Sequence, residues 1–174
     1  MNKLIILICS LTFSLLGEDI TLCIQGWNET QAGNHAKAIE LFKEGIKKGD
    51  LTQASLARTY RNLGIASKRN KEYKNAIEYY NKALELKPSD PWDDYVNRGN
   101  AWSELKKYDE AMADYDLALK AKPNYNEAYY NKGIVFEKQK NMEKAIIEFK
   151  KAYQFGLRSQ LLYERFVAHG LIKK

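Results

Sequence analysis

The sequence has few of the residues that cross-link or interrupt a fold, with only two cysteines and three prolines among 174 residues. Cys9 lies in an N-terminal apolar run that we expect to be removed, so Cys23 would remain alone and an intramolecular disulfide is excluded. Cys23 lies one turn before Trp27 on an apolar face, where we expect a buried structural thiol. The stability of the chain must therefore come from the packing of its side chains.

Motifs of catalysis are also missing from the sequence. There is no glycine-rich phosphate loop, no Gly-x-Ser-x-Gly and no His-Glu-x-x-His. The only histidines, His35 and His169, lie near opposite ends of the chain. We therefore predict a protein without enzymatic activity, without a metal site and without a cofactor.

The N-terminus carries the one long apolar run of the sequence. Lys3 precedes an uncharged stretch from Leu4 to Leu16, and Gly17 then leads into acidic residues. This order predicts a secretory signal over residues 1–17 and therefore a periplasmic or secreted protein. The alternative is an uncleaved segment that anchors the chain to a membrane.

One pattern occurs three times between Tyr60 and Ala152. Gly64 precedes Gly99 by 35 residues, Gly99 precedes Gly133 by 34, and an alanine follows each glycine by 12 residues. Each copy continues with an aromatic residue and a second alanine, and the first two copies end with a proline: Tyr80, Ala83 and Pro88; Tyr115, Ala118 and Pro123; Phe149 and Ala152. A fixed period of this length predicts a repeat architecture.

The pattern resembles the tetratricopeptide repeat, an antiparallel pair of helices of about 34 residues. The resemblance covers about Ile20 to Leu157 and implies an all-α fold, a right-handed superhelical solenoid of antiparallel helix pairs. The glycines and alanines fit this fold because small residues let two helix backbones approach where they cross. The large rings would then fill the space beside each crossing.

The same pattern divides the chain into segments. The first repeat is degenerate, because Gly26, Ala38 and Phe42 keep their offsets while Leu22 replaces the first aromatic residue. In the later repeats we predict helices over 52–69, 73–86, 91–105, 108–121, 125–139 and 142–155. The segments are a signal peptide over 1–17, repeats over 18–50, 51–90, 91–124 and 125–157, and a C-terminal capping helix over 158–174.

The resemblance also implies a binding surface, because in this family the first helix of each pair lines a concave groove for extended peptides or partner helices. The groove residues implied in the second, third and fourth repeats are Arg58, Arg61, Asn62, Ile65, Lys68, Asn97, Asn100, Tyr130, Asn131 and Ile134. Further groove-facing candidates are Arg69, Asp93, Val96, Ser103, Glu127 and Glu137. Asn62, Asn97 and Asn131 recur at one position, where an amide can bind the backbone of a ligand or bond to a neighbouring repeat. Both alternatives stay open.

The charges suggest the chemistry of a partner. From Gln53 to Lys74 the sequence has six basic residues and only one acid, Glu72, whereas the next groove segment carries Asp90, Asp93 and Asp94. A basic face beside an acidic one would orient an acidic segment of a partner protein and speed its association. The alternative is an ordinary solvated surface, which we prefer for the side chains of Lys71 and Lys74.

Nucleic acid is a less suitable partner, although the chain is basic and has twelve tyrosines and three tryptophans. Most of these rings occupy repeated positions that face the packing between helices. We therefore predict no nucleic-acid binding, and contact with a membrane only through an uncleaved N-terminal segment. Pairing of two copies to a homodimer stays open.

The function predicted from the sequence is a non-enzymatic scaffold or adaptor. It would bind a partner peptide or helix in its concave groove, at the bacterial cell envelope. The alternative is a signal-anchored regulatory subunit of an enzyme complex in the envelope, whose activity lies in the partner.

Overall fold

The computed structural model describes residues 18–168 and residue 170, so the predicted signal over 1–17 lies outside the described residues. The described residues form nine α-helices and no strand. The helices are α1 (Glu18–Gln31), α2 (His35–Lys48), α3 (Gln53–Arg69), α4 (Tyr73–Glu85), α5 (Pro91–Glu104), α6 (Tyr108–Ala121), α7 (Asn126–Lys138), α8 (Met142–Gln154) and α9 (Gln160–Ala168). Each of the six helices predicted from the later repeats begins and ends within one residue of the predicted position. The predicted all-α fold class is confirmed.

The chain divides into two compact units, one ending at Pro88 and the other beginning at Ser89. In the first unit, α1 packs against α2 and α3 against α4. In the second unit, α5 packs against α6 and α7 against α8, and α9 follows the last pair. No described helix is both long and apolar enough to cross a membrane.

In each helix pair, an aromatic side chain of the second helix packs against a glycine of the first helix. Tyr80, Tyr115 and Phe149 are 0–1% exposed, and each ring contacts the glycine that precedes it by 16 residues. Gly26 has the same relation to Phe42, whose ring would lie 3.0 Å from an added Cβ. The first pair therefore keeps the repeat's crossing although its sequence has diverged.

The turn inside each pair contains one residue in the left-handed helical region. In the α3–α4 turn, the amide of Lys71 donates to the carbonyl of Lys68 at 3.0 Å, and the amide of Glu72 donates to that of Ser67 at 2.9 Å. These two bonds form a Schellman motif, which satisfies the last carbonyls of a helix. The residues with positive φ in the four turns are Gly33 (85°), Lys71 (63°), Lys106 (60°) and Lys140 (61°).

The second unit contains a nearly buried ion pair between its first two helices. The guanidinium of Arg98 donates from Nε to Oδ2 of Asp114 at 2.9 Å and from Nη2 to Oδ1 at 2.6 Å. Burial alone would lower the pKa of Arg98, but the hydrogen bonds and the charge of Asp114 raise it above its ordinary value. Arg98 therefore stays charged and fixes α5 to α6.

Helix α9 packs on the last helix pair. Leu162 is 1% exposed and forms a cluster with Ala145 and Phe149. Arg165 lies over the ring of Phe149 at 5.3 Å and forms an ion pair with Glu137. The apolar end of this pair is thus covered by the chain itself.

Candidate functional site

The predicted groove residues of the second repeat lie together on one face of α3. Their positions, three or four residues apart, place them on one side of a helix: Arg58, Arg61, Asn62, Ile65 and Lys68. Arg58 is exposed and the other four are half-buried. The opposite side of the helix carries Leu63 and Ala66, which are 1% and 0% exposed and belong to the core. The helical spacing in the sequence therefore places the basic residues and the core residues on opposite sides of α3.

The face of α3 that carries Arg58, Arg61 and Lys68 is basic, and α3 contains no Asp or Glu that could neutralise these charges. Nη1 of Arg69 donates to the carbonyl oxygen of Thr30 at 3.2 Å, which ties the end of α3 to α1. Arg61 and Lys68 also interact with other residues. Arg58 forms no hydrogen bond or ion pair with any other described residue, so its guanidinium is available to a ligand.

A cavity of about 480 Å³ opens between α1 and α3 in the first unit. Its lining residues are Ile20, Cys23, Ile24, Trp27, Leu51, Ser55, Arg58, Thr59 and Asn62. The contribution of α1 was missed by the sequence reasoning, which placed the groove only in the later repeats. The signal that could have revealed it is the spacing of Ile20, Ile24 and Trp27, which puts three large apolar residues on one helix face.

Cys23 is one of the residues that line this cavity. It is half-buried and packs against the cluster that contains Phe42 and Leu63. The hydroxyl of Thr59 donates to the carbonyl oxygen of Ser55 at 2.8 Å and lies 3.4 Å from Sγ of Cys23. The thiol packs against the core, but the prediction that it is buried is wrong, because Cys23 is half-buried and lines the cavity.

Three of the predicted groove residues in the second unit serve the packing of that unit. Oδ1 of Asn100 accepts a 2.8 Å hydrogen bond from the hydroxyl of Tyr115. The ring of Tyr130 is tilted against that of Phe149, with 5.7 Å between the ring centroids, and Ile134 packs against the cluster that contains Phe149 and Leu162. Their role in partner binding stays a prediction.

Two neighbours of these residues are not on an open face, and for them the prediction is wrong. Val96 is 1% exposed and belongs to a core cluster with Ala128 and Val135. Ser103 is 5% exposed, and its hydroxyl accepts a hydrogen bond from Nζ of Lys138 at 3.2 Å. The physical reason is that both side chains point toward α7, which packs beside α5 in the same unit.

The recurring asparagines differ in their surroundings. Asn62 and Asn131 form no side-chain hydrogen bond with another described residue, and Nδ2 of Asn131 is buried. Asn97 does have an interaction with another residue. The bond to a neighbouring repeat is thus not observed for Asn62 or Asn131, whose amides keep their hydrogen-bonding capacity.

The second unit holds two carboxylates around one phenol. The hydroxyl of Tyr125 is 2.6 Å from Oδ1 of Asp93 and 3.0 Å from Oε2 of Glu127. Burial raises the pKa of Tyr125 far above its ordinary value of 10, and the bond to Asp93 and the charge of Glu127 raise it further. The phenol therefore stays protonated and holds the two carboxylates in place.

The described residues also have no cluster of metal-binding side chains. Within the described part of the chain, no three His, Cys, Asp or Glu side chains lie close enough to hold a metal ion. The described part of the chain has an apolar cavity, a basic helix face and two carboxylates bonded to Tyr125. Ligand sites in proteins commonly combine an apolar cavity with a few polar or charged groups.

Models of the tetratricopeptide repeat (TPR) match residues 57–90, 99–140 and 127–155 of the chain. Among solved structures, the crystal structure of MamA is 26% identical with a TM-score of 0.68, and the match covers 79% of this chain and 77% of MamA. The crystal structure of YrrB, described as a TPR protein with an unusual peptide-binding site, is 20% identical with a TM-score of 0.67, over 80% of this chain and 69% of YrrB.

A third similar structure is a MamA fragment from Desulfovibrio magneticus RS-1, which is 19% identical with a TM-score of 0.69 over 89% of this chain and 87% of that one. None of the curated proteins matches the chain significantly. The likenesses to YrrB and to this fragment concern the fold.

Proposed function

The chain belongs to the tetratricopeptide repeat family, and from this premise we propose that it is a non-enzymatic adaptor that binds an acidic segment of a partner protein on the basic face of α3. Its fold supports a protein–protein interaction scaffold, and YrrB shows that a similar fold can carry a peptide-binding site. The choice of partner rests on this chain's own charges.

The basic face of α3 carries the proposal. The helix has four cations, Arg58, Arg61, Lys68 and Arg69, and no acid. Such a face attracts an acidic segment over a distance of about a Debye length and increases its association rate. The unpaired guanidinium of Arg58 can then bind a carboxylate through two parallel hydrogen bonds.

The proposed location is the bacterial cell envelope, and it is supported only by the sequence of residues 1–17. Removal of this segment would yield a periplasmic or secreted adaptor. Its retention would yield the alternative, an anchored regulatory subunit of an enzyme complex. Cell fractionation together with the intact mass of the isolated chain tests this, because cleavage after Gly17 leaves Glu18 as the first residue.

A crosslinked pull-down from the protein's own cells tests the function. The parent chain is compared with the variant Arg58→Glu/Arg61→Glu and with the control Lys71→Glu/Lys74→Glu. The control changes the net charge by the same amount, but its two residues lie in the α3–α4 turn and at the start of α4. We expect one protein to be enriched by the parent and the control and lost with the first variant. A partner retained equally by all three chains would contradict the proposal.

A further inference from the structure

The cavity between α1 and α3 has an apolar interior. Ile20, Ile24 and Trp27 line it from α1, and Leu51 closes it from the connection before α3. The hydroxyl of Thr59 is already bonded to the carbonyl of Ser55, so this part of the cavity offers little to a polar ligand. A group that enters the cavity must therefore be apolar to gain from burial.

The cavity is open at the protein surface. Ile24 and Trp27 are 41% and 39% exposed, although both are large apolar side chains. More than a third of each side chain is therefore open to solvent. Its volume of about 480 Å³ lies within the range of about 300–1,000 Å³ that is common for ligand sites. The cavity has room for a large side chain of a partner.

The rim of the cavity is polar and basic on the side of α3. Arg58 and Asn62 line the cavity together with the apolar residues, and no Asp or Glu is among its lining residues. Arg58 has no partner among the described residues, and Asn62 has no side-chain hydrogen bond there. The rim can thus bind a carboxylate and a peptide group beside whatever apolar group fills the interior.

We propose that this cavity binds a short acidic segment of a partner protein, with one large apolar side chain of the segment inserted between Ile24 and Trp27 and a neighbouring carboxylate bound to Arg58. This inference rests on the proposed function and adds to it the side-chain pattern that the partner must have. The occupant is selected by charge complementarity, since an apolar segment without an acid would leave Arg58 unpaired and a basic one would be repelled by α3.

Selection from a displayed library of random peptides on the full-length chain tests the pattern. We expect the enriched peptides to have a large aliphatic or aromatic residue within about two positions of an Asp or Glu. The most enriched peptide is then synthesised with its apolar residue replaced by alanine. This change should weaken binding by roughly ten- to a hundredfold, because about 1.5–3 kcal/mol of binding free energy from the burial of the side chain is lost. Enriched peptides without this pattern would overturn the inference.

Variants of the chain locate the site. Trp27→Ala and Arg58→Glu should each weaken binding of the same peptide at least about tenfold, whereas Trp27→Phe should retain most of it. Ile147→Ala removes a similarly exposed apolar side chain from α8, 46% exposed, and Lys74→Glu reverses a charge outside α3. Both controls should bind like the parent, and far-UV circular dichroism checks that every variant is folded.

The remaining outcomes separate this inference from the proposed function. A peptide that is lost with Arg61→Glu but retained with Trp27→Ala would overturn the cavity as its binding site and leave the basic face intact. A dimer of the parent chain that dissociates in the Trp27→Ala variant would show that a second copy fills the cavity, and this result would also overturn the inference.

Discussion

A Cβ atom added to Gly64 would lie 2.6 Å from Cε1 of Tyr80, closer than real Cβ contacts come. Tyr80 is completely buried, so its rigid ring cannot move out of the way. The relation joins α3 to α4, and it recurs between Gly99 and Tyr115 in the second unit, where the distance is 2.7 Å. The glycine is thus required by the close approach of two helices.

We expect Gly64→Ala to destabilise the first unit by about 1–3 kcal/mol through overpacking, although alanine favours the helix itself by about 1 kcal/mol. Gly26→Ala is the matched control, because its Cβ would meet Phe42 at 3.0 Å, and we expect a smaller loss. Urea unfolding followed by circular dichroism measures both. Equal losses in the two variants would show that the distance to the ring is not the cause.

We expect the removal of one partner of the Arg98–Asp114 ion pair to destabilise the second unit strongly. The side chain of Asp114 is only 5% exposed, so Arg98→Leu leaves a buried charge and should cost about 3–5 kcal/mol. The double variant Arg98→Leu/Asp114→Leu should recover most of this loss. Lys132→Leu breaks a pair of the same 2.6 Å length whose acid, Asp116, is 63% exposed, and it should cost about 1 kcal/mol or less.

The phenol of Tyr125 should make the second unit sensitive to alkaline pH. Tyr125→Phe removes its bonds to Asp93 and Glu127 and should lower the free energy of unfolding by about 1–3 kcal/mol at neutral pH. Because the folded pKa is raised, the stabilisation is complete below the unfolded pKa of about 10 and is lost as the pH rises above it. The difference between parent and variant should therefore narrow above pH 10. A difference that stays constant to higher pH would contradict the raised pKa.

Lys106 should be replaceable by glycine with a gain in stability. Its φ of 60° lies in the left-handed region, which costs a residue with a Cβ about 1 kcal/mol or more. We expect Lys106→Gly to raise the free energy of unfolding by about 0.5–1 kcal/mol. This gain is smaller than the relieved strain, because glycine loses more conformational entropy on folding. Gly33→Ala is the reverse experiment, because no atom lies within 4 Å of its added Cβ and only the strain of φ 85° remains. A loss in the first variant or a gain in the second would refute this account of the turns.

The sequence by itself determined the helix pairs. The fixed spacing from Gly64 to Ala76 and Tyr80, repeated in later copies, predicted helix bounds to within one residue, because a crossing of two helices needs small and large residues at set positions. It also predicted the basic face of α3, since helical spacing alone places Arg58 and Arg61 on one side.

Only the tertiary structure decided how these faces are used. The sequence did not predict the cavity that Trp27 and Arg58 line together, because its walls come from two helices of different repeats and the first repeat has diverged. It placed Val96 on the groove although the packing of α7 buries it. Local spacing fixes the side of a helix on which a residue lies, whereas the neighbouring helix determines whether that side is core, cavity or open surface.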